Sequence, residues 1–179
     1  MIPTLTTSRL TLRPHRRKDF EAYAAMWAEP AVVRFIGGVP FSREAAWSRF
    51  LRLPGLWQFL GYGSFAVEER VSGAFVGEVG FHDFKRALIP SIEGTMEAGW
   101  VFAGAAQGKG YAEEAMRAVL GWADAHGTGS RLTCMIQNDH SASLHIAGKL
   151  GFRRFAESSY GGQPMALLER PRGATNTGR

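Results

Sequence analysis

The apolar residues near the middle of the chain follow the period of an α-helix. Between residues 112 and 126 they recur at steps of three and four, which places them on one face. We therefore predict a long amphipathic helix that packs on a sheet. Its predicted apolar face consists of Ala112, Ala115, Met116, Val119, Trp122, Ala123 and His126. A strand-like run over 95–102 and a glycine-rich turn at 107–112 precede this helix.

Elsewhere, apolar residues alternate with polar ones or repeat at helical spacing, and these patterns predict the remaining elements. In chain order they are a strand over 9–13, a helix over 20–28, a helix that opens at Ser42 and is interrupted at Pro54 and Gly55 before 56–60, a hairpin of 63–69 with 74–84, a strand over 131–136, a helix over 141–150 closed by Gly151, and a final antiparallel pair of 152–157 with 164–169. The strand-helix-strand unit in the middle implies one parallel or splayed strand pair within a mostly antiparallel sheet. The predicted fold class is α+β.

Composition favours one globular domain. The chain has 179 residues, of which 45% are hydrophobic, and this suits a single core over 1–172 followed by a disordered tail at 173–179. The 21 Lys and Arg exceed the 16 Asp and Glu, which gives a formal charge of +5. This charge is compatible with a polyanionic cofactor or a nucleic acid and is specific to neither. The densest basic run, 15–18, lacks interleaved aromatic residues, which favours a solvated loop over a nucleic-acid surface.

The sequence shows no signal for disulfide, metal or membrane chemistry. Cys134 is the single cysteine, which excludes an internal disulfide, and its apolar setting predicts a packing role in a buried strand. No cluster of Cys and His has the spacing of a metal site. No apolar run is long enough to span a membrane, and residues 1–17 lack the apolar core of a signal peptide. We therefore expect a soluble cytoplasmic protein.

The glycine-rich turn is the first candidate for chemistry. Gly108 and Gly110 stand directly before the long helix, where glycine lets a ligand approach the main chain. The first turn of a helix also has unpaired N–H groups with a partial positive charge. An anionic cofactor explains the turn, and so does a simple tight connection. A triphosphatase or dinucleotide loop is not supported, because Lys109 precedes Gly110 and the position three after Gly110 is Glu113.

Three segments of the chain carry a resemblance to a known family. Residues 107–112, with the sequence QGKGYA, match a Q-x-x-G-x-A acetyl-CoA loop, and residues 97–102 look like the strand that precedes such a loop. Residues 143–152 end in KLGF and look like the helix that follows. The sequence thus resembles the GNAT superfamily of N-acetyltransferases, especially its RimJ/RimL-like branch. The likeness extends over nearly the whole chain, from 9–13 to 168–171.

The resemblance implies an acetyl-CoA-dependent enzyme with the GNAT fold. That fold is a twisted, mostly antiparallel sheet of about six to seven strands with a splayed central parallel pair and about four flanking helices. The loop N–H groups would hold the pyrophosphate, Lys109 would add charge, and pantetheine would pair with the preceding strand. The backbone of Val101 or Phe102 would stabilise the oxyanion. The implied cofactor-binding residues are Trp100, Val101, Phe102, Gln107, Gly108, Lys109, Gly110, Tyr111, Ala112, His140 and Ser143.

Direct transfer from a thioester requires that the acceptor amine lose a proton. A lysine amine has an ordinary pKa of about 10.4 and an α-amine of about 7.7 to 8, so a lysine needs more help from a base. Glu97 stands where several family members carry a base, and Glu78 on the adjacent strand is a second candidate. A plain structural carboxylate is the alternative for either residue. Glu113 and Glu114 are better explained as favourable charges near the N-terminus of the long helix.

The leaving-group side departs from the common family pattern. Many members have a tyrosine five residues before the phenylalanine of K-L-G-F, where this chain has Ala147. Ser143 matches the serine of an N-x-x-S pattern found in the RimJ/RimL-like branch, but His140 replaces the asparagine. Ser143 is a candidate to assist the departing thiolate or only to bind cofactor. His140 is a candidate to contact pantetheine or to lie in a surface loop.

Two functions from different classes remain open. One is acetyl transfer to a primary amine, either of a small molecule or of a peptide or protein. The other is a non-catalytic acyl-CoA sensor with the same fold. The acceptor would be chosen by segments without a chemical signature, namely 32–41, the second helix, 85–94 and 158–164. We expect no metal, nucleic-acid or membrane partner, and a homodimer would be ordinary for the family.

Overall fold

The computed structural model describes residues 2–173, and these residues form two compact units. One unit comprises the residues up to Gly80 together with Trp100–Val119, and the other comprises Phe81–Gly99 together with the residues from Leu120 onward. A single domain over 1–172 stays a prediction. The predicted tail lies outside the described residues except for Gly173, whose N–H donates to Asp124 at 2.8 Å.

Helices and strands occupy most of the described chain. In order, they are β1 Leu5–Thr6, β2 Leu10–Arg13, α1 Phe20–Ala28, α2 Pro30–Val33, α3 Arg43–Phe50, α4 Leu53–Leu60, β3 Ser64–Glu69, β4 Phe75–His82, β5 Met96–Phe102, α5 Tyr111–His126, β6 Arg131–Gln137, α6 Ser141–Lys149, β7 Arg153–Tyr160 and β8 Gln163–Pro171, with 3-10 turns at Arg17–Asp19 and Gly104–Ala106.

The strands form one sheet in the order β1-β2-β3-β4-β5-β6-β8-β7. The pairs β1/β2, β2/β3, β3/β4, β6/β8 and β7/β8 are antiparallel, whereas β5 and β6 are parallel. The register of the parallel pair places Met96 opposite Leu132 and Glu97 opposite Thr133. The predicted α+β class and mixed sheet are confirmed, but the described residues contain eight strands rather than six or seven. The additional strand β1 has two residues, too few to show a period.

Local signals placed several helix ends correctly. Helix α1 has the predicted bounds, and the Ser42 hydroxyl accepts the N–H of Ala45 at 3.1 Å as the cap of α3. The predicted interruption between two helical segments is confirmed, but it lies at 51–52 rather than at Pro54 and Gly55, because α4 begins at Leu53 and includes both residues. A proline in the first helical turn loses only an N–H that has no intrahelical partner.

Aromatic side chains form the core of the first unit. Tyr23 and Trp27 of α1 are fully buried, and Phe50 of α3 packs edge-on against Tyr23 with ring centroids 5.1 Å apart. Trp47 of α3 is partly exposed, although its ring packs edge-on against Phe20 of α1 with centroids 4.7 Å apart.

The buried face of α5 largely agrees with the prediction. Ala115, Met116, Val119 and Ala123 are fully buried. His126 is exposed instead, and its ring stacks on Trp122. Leu120 is buried in its place because it follows Met116 by four residues and so lies on the same face. In the second unit, a smaller cluster packs Leu88, Ile92 and Leu167 together.

The basic run at 15–18 is only partly solvated. Arg16, Arg17 and Lys18 are exposed as predicted, but the side chain of His15 is only 4% exposed. Its Nε2 lies 3.7 Å from Oε2 of Glu78. Burial lowers the pKa of His15 to about 4, so the imidazole is neutral in the folded protein near pH 7.

This burial predicts a loss of stability in acid. The pKa of His15 is lower in the folded state than its ordinary value of 6.5, so its contribution is complete above pH 6.5 and is lost as the pH falls towards 4. Protonation of His15 should lower the free energy of unfolding at pH 4.5 by about 2 to 3 kcal/mol relative to its value at neutral pH. In urea unfolding at pH 7.5 and 4.5, His15→Gln should lose less stability on acidification than wild type. The exposed control His126→Gln should lose as much as wild type; an equal loss in His15→Gln would contradict the assignment.

Candidate functional site

The glycine-rich loop leads directly into α5. Gly108 and Gly110 have φ angles of 75° and 77°, a left-handed region that favours glycine. The Gln107 side chain donates from Nε2 to the carbonyl oxygen of Phe102 at 3.0 Å, which closes the loop on the end of β5. Open space surrounds the missing Cβ of Gly108. The loop therefore exposes main chain at the N-terminus of a 16-residue helix, where unpaired N–H groups attract anions.

Arg9 adds a positive charge that the sequence did not associate with this loop. Its Nη1 donates to the carbonyl oxygen of Lys109 at 2.8 Å, and its guanidinium lies 4.8 Å from the ring centroid of Tyr111. The Nζ of Lys109 lies 5.9 Å from the same ring. Two cations thus lie at the helix N-terminus, and Arg9 is at the same time ion-paired with Oε2 of Glu114 at 2.6 Å. This set of donors fits a diphosphate.

Glu114 fastens the N-terminal segment to α5. Its Oε1 accepts from Thr7 Oγ1 at 2.6 Å, Ser8 Oγ at 2.9 Å and the Arg9 N–H at 2.9 Å. Burial opposes the charge, but these hydrogen bonds outweigh it and lower the pKa of Glu114 to about 2. The predicted place of Glu113 and Glu114 in the first helical turn is confirmed. Glu114 has the additional role of holding Arg9 beside the loop.

The predicted cofactor residues of β5 and the loop differ in what they offer a ligand. Phe102 and Tyr111 are buried, and the Tyr111 hydroxyl donates to Glu69 at 2.5 Å. A Cβ on Gly77 would lie 2.8 Å from the Phe102 ring, which shows how closely β4 approaches this part of β5. Phe102 and Tyr111 therefore have only main-chain groups to offer. Trp100 and Val101 are partly exposed.

In the second unit, Glu97 is a buried carboxylate with two basic contacts. It is 4% exposed, and Arg86 Nε donates to its two oxygens at 3.1 and 3.0 Å. His82 Nε2 lies 3.2 Å from Oε1. Burial alone would raise the pKa of Glu97, but the contacts with His82 and Arg86 outweigh it, and the pKa is lowered. Glu97 is therefore ionised at neutral pH.

Sequence reasoning did not identify His82 or Arg86. His82 ends β4, where its ring stacks on Phe84 at a centroid distance of 4.2 Å. Arg86 lies in the segment between β4 and β5, with its guanidinium 4.8 Å from the ring centroid of Tyr160. Neither residue belongs to a sequence motif. Their basic side chains would have pointed to Glu97 only if it had been known that this part of the chain lies beside β5.

Glu78, the alternative base, lies in the first unit in a different environment. It is 4% exposed, as Glu97 is, and lies near Tyr23, Trp27 and Arg49, with the nearest Arg49 nitrogen 3.8 Å from Oε1. Burial raises the pKa of Glu78, because Arg49 and Trp27 compensate only partly. Its Oε2 has neither exposed surface nor a hydrogen-bond partner among the described residues.

Ser143 and His140 form a close pair at the start of α6. The Ser143 hydroxyl lies 2.8 Å from His140 Nε2, and Ser143 is 9% exposed. Burial lowers the pKa of His140, so its imidazole is neutral near pH 7. Ala147 is fully buried. Cys134 is buried as predicted, and burial together with the charge of Glu97 raises the pKa of its thiol.

The comparison with known families decides the classification. The sequence model described as an acetyltransferase (GNAT) domain matches residues 9–153. The chain belongs to the GNAT acetyltransferase family. A solved GNAT-family acetyltransferase from Bordetella pertussis is 32% identical, with a TM-score of 0.83 over 94% of this chain and 99% of that chain. YnaD of Bacillus subtilis, named an uncharacterized N-acetyltransferase, is 28% identical over 150 residues, which are 84% of this chain and 82% of YnaD.

A more distant likeness shows the fold alone. RimL, a ribosomal L7/L12 alpha-N-protein acetyltransferase solved with coenzyme A, is 16% identical, with a TM-score of 0.78 over 97% of this GNAT chain and all of RimL (100%). Membership of the RimJ/RimL-like branch stays a prediction. Between residues 2 and 173, no group of three or more His, Cys, Asp and Glu is arranged to hold a metal ion. No helix in that range is long and apolar enough to cross a membrane.

The Arg9 contact predicts a specific loss of cofactor affinity. Arg9→Gln removes one cation and the bond to the Lys109 carbonyl, so calorimetry should show coenzyme A binding weakened about three- to tenfold. Lys18→Gln, an equal loss of charge at an exposed site, should bind as wild type does. Equal affinities for all three proteins would show that Arg9 does not support the loop.

Proposed function

We propose that this GNAT acetyltransferase transfers the acetyl group of acetyl-CoA directly to a primary amine within a ternary complex. The observation that carries the proposal is the buried, ionised Glu97 in contact with the imidazole of His82 and the guanidinium of Arg86. Such a group can accept a proton through its imidazole or its carboxylate. Acetyl transfer to an amine requires a group that accepts a proton, and cofactor binding alone does not use one.

The loop supplies the cofactor site in this proposal. The N–H groups of residues 108–112, together with Lys109 and Arg9, would hold the diphosphate of acetyl-CoA. The main chain of Trp100, Val101 and Phe102 would pair with the amides of pantetheine, and the Gln107 side chain closes the loop. When bound, acetyl-CoA supplies an activated thioester, so the protein need not provide a nucleophile.

The acceptor amine transfers its proton to the group formed by Glu97, His82 and Arg86. An amine attacks only in its neutral form, and a protein amine with an ordinary pKa of about 7.7 to 10.4 is largely protonated at neutral pH. Glu97 is assigned to this group because it lies 3.2 Å from His82 and 3.0 Å from Arg86. Glu78 has no basic contact as close, since Nε2 of His15 is 3.7 Å away and Arg49 is 3.8 Å away. Removal of the proton is thus the main chemical task of the side chains.

Ser143 would support the thiolate that leaves. Ser143 has one hydroxyl proton, which is available to a thiolate when His140 carries its proton on Nε2 and donates to the Ser143 oxygen. Buried Ala147 cannot replace it. A coenzyme A thiol needs little protonation near neutral pH, so we expect a modest role for Ser143.

The acceptor is proposed to be a small-molecule amine or a peptide or protein N-terminus. Arg86 contacts both Glu97 and Tyr160, so the segments 85–94 and 158–164 border the proton-accepting group within the second unit. This arrangement supports their proposed role in choosing the acceptor. No observation on residues 2–173 favours the alternative of a non-catalytic sensor. Dimerisation and a cytoplasmic location stay predictions.

The proposal is tested by thiol release from acetyl-CoA against a panel of amines, polyamines, amino acids and N-terminal peptides, with products identified by mass spectrometry. Glu97→Gln should lower kcat roughly 100-fold while calorimetry shows unchanged affinity for acetyl-CoA. Glu157→Gln, an exposed carboxylate change in the same unit, should turn over as wild type does. Tight cofactor binding without turnover of any acceptor would reject the enzyme in favour of the sensor.

A second pair of variants tests the leaving-group side. Ser143→Ala should reduce kcat about tenfold, because the thiolate loses its hydroxyl donor. His140→Asn should remain within about threefold of wild type, because an amide also forms hydrogen bonds with Ser143 or pantetheine. Steady-state kinetics with a saturating acceptor separates the two effects. Full activity of Ser143→Ala would remove Ser143 from the mechanism.

A further inference from the structure

The carboxylate of Glu97 is itself poorly suited to take the proton of an amine. Arg86 contacts both of its oxygens and His82 approaches one, so its pKa lies below the ordinary value of 4.5. An α-amine or lysine amine has a pKa higher by more than about 3 units, which makes direct transfer to this carboxylate strongly uphill. A carboxylate held in this way is better suited to orient a neighbouring base.

His82 is that neighbour, and its ring is held on three sides. It stacks on Phe84 with an interplanar angle of 18°, and its Nε2 faces Oε1 of Glu97 at 3.2 Å. The third side is Gly99, where a Cβ would come within 2.9 Å of ring atom Cε1. A side chain at Gly99 would therefore displace the ring. Imidazole is also the side chain whose ordinary pKa lies nearest neutrality, as a base for amines requires.

One nitrogen of the His82 ring is covered by its surroundings. The His82 side chain is 13% exposed, but its Nε2 has no exposed surface. The accessible part of the ring therefore excludes the nitrogen that faces Glu97. The contact with Glu97 is close but is not aligned as a hydrogen bond in this structure. Catalytic hydrogen bonds commonly tighten only when substrate is bound.

We propose, on the basis of the acetyl transfer described above, that His82 is the base and that Glu97 positions it. Nδ1 of His82 takes a proton from the acceptor ammonium, and the electron pair of the broken N–H bond stays on the amine nitrogen. That nitrogen forms the bond to the acetyl carbon as the carbon–sulfur bond breaks, and sulfur keeps the electrons of that bond. The second proton, which the nitrogen loses to become a neutral amide, goes to the departing thiolate, so coenzyme A leaves as the thiol. Glu97 accepts from Nε2–H and stabilises the imidazolium, while Arg86 keeps Glu97 ionised.

The charged surroundings of His82 are consistent with this assignment. Glu97 faces it from β5, and Arg86 reaches Glu97 from the segment after β4. Asp83, although next in sequence, is engaged by Lys85 and the N–H of Gly94. Cys134 approaches Glu97 from β6, and burial keeps its thiol protonated. Among these groups, Glu97 is the one that can stabilise a positive charge on His82.

The test follows kcat against pH with the acceptor found in the amine panel. His82→Gln should lower kcat roughly 100-fold near neutral pH, with little change in the affinity for acetyl-CoA. The deficit should shrink as the pH rises towards the pKa of the acceptor amine, because the amine then arrives already deprotonated. A purely structural role for His82 would give a deficit that does not change with pH. His145→Gln, on the exposed face of α6, is the matched control.

A second variant tests the geometry without removing the imidazole. Gly99→Ala places a methyl group against the His82 ring and should reproduce the pH-dependent deficit in weaker form, about tenfold. Circular dichroism and thermal unfolding establish that each variant is folded, and His82→Asn replaces His82→Gln if the latter is not.

The outcomes separate this inference from the function on which it rests. Turnover by wild type with a pH-dependent deficit in His82→Gln supports both. If wild type turns over, His82→Gln is nearly as active and Glu97→Gln loses most activity, then His82 is not the base. The proposed acetyl transfer would stand in that case, with Glu97 as the base. Absence of turnover with every acceptor, despite tight binding of acetyl-CoA, rejects the proposed function and the role of His82 with it.

Discussion

A carboxylate buried in a sheet remains charged only if nearby groups replace the water that it has lost. Glu97 meets this condition through Arg86, whose guanidinium contacts both carboxylate oxygens, and through His82. The other side of the Arg86 guanidinium lies against Tyr160, so the same ion pair ties the segment between β4 and β5 to the final hairpin. The candidate chemistry and the local structure of the second unit therefore depend on one interaction.

The contrast between Glu97 and Glu78 shows how environment separates two carboxylates that look alike in sequence. Both are almost completely buried on neighbouring strands. Glu97 has a close guanidinium, and its pKa is lowered; the nearest nitrogen of Arg49 is 3.8 Å from Glu78, and its pKa is raised. The direction of the shift differs because His82 and the hydrogen bonds from Arg86 outweigh the burial of Glu97, whereas Arg49 and Trp27 offset the burial of Glu78 only partly.

The loop before α5 differs from the Glu97 group because its ligand-binding groups are main-chain N–H groups rather than side chains. Positive φ angles at Gly108 and Gly110 turn the chain into the helix without side chains in the way. The cations that accompany the helix N-terminus are Lys109 of the loop and Arg9, which Glu114 holds from the first turn of α5. The main-chain N–H groups at the helix N-terminus thus form the site for an anion, and the nearby cations strengthen it.

Sequence alone determined the features that depend on neighbours along the chain. The glycine loop, the cap at Ser42, the bounds of α1 and most of the buried face of α5 follow from spacings of a few residues, and so did the α+β class. Tertiary structure decided what depends on residues far apart. Arg9 meets Lys109 across 100 positions, and Arg86, in the segment 85–94 that has no chemical signature in the sequence, meets Glu97 and Tyr160. His15 was expected to be solvated, yet it is buried beside Glu78. Periodicity reports which face of an element is apolar, but the partner of a charge is fixed only when the sheet brings distant segments together.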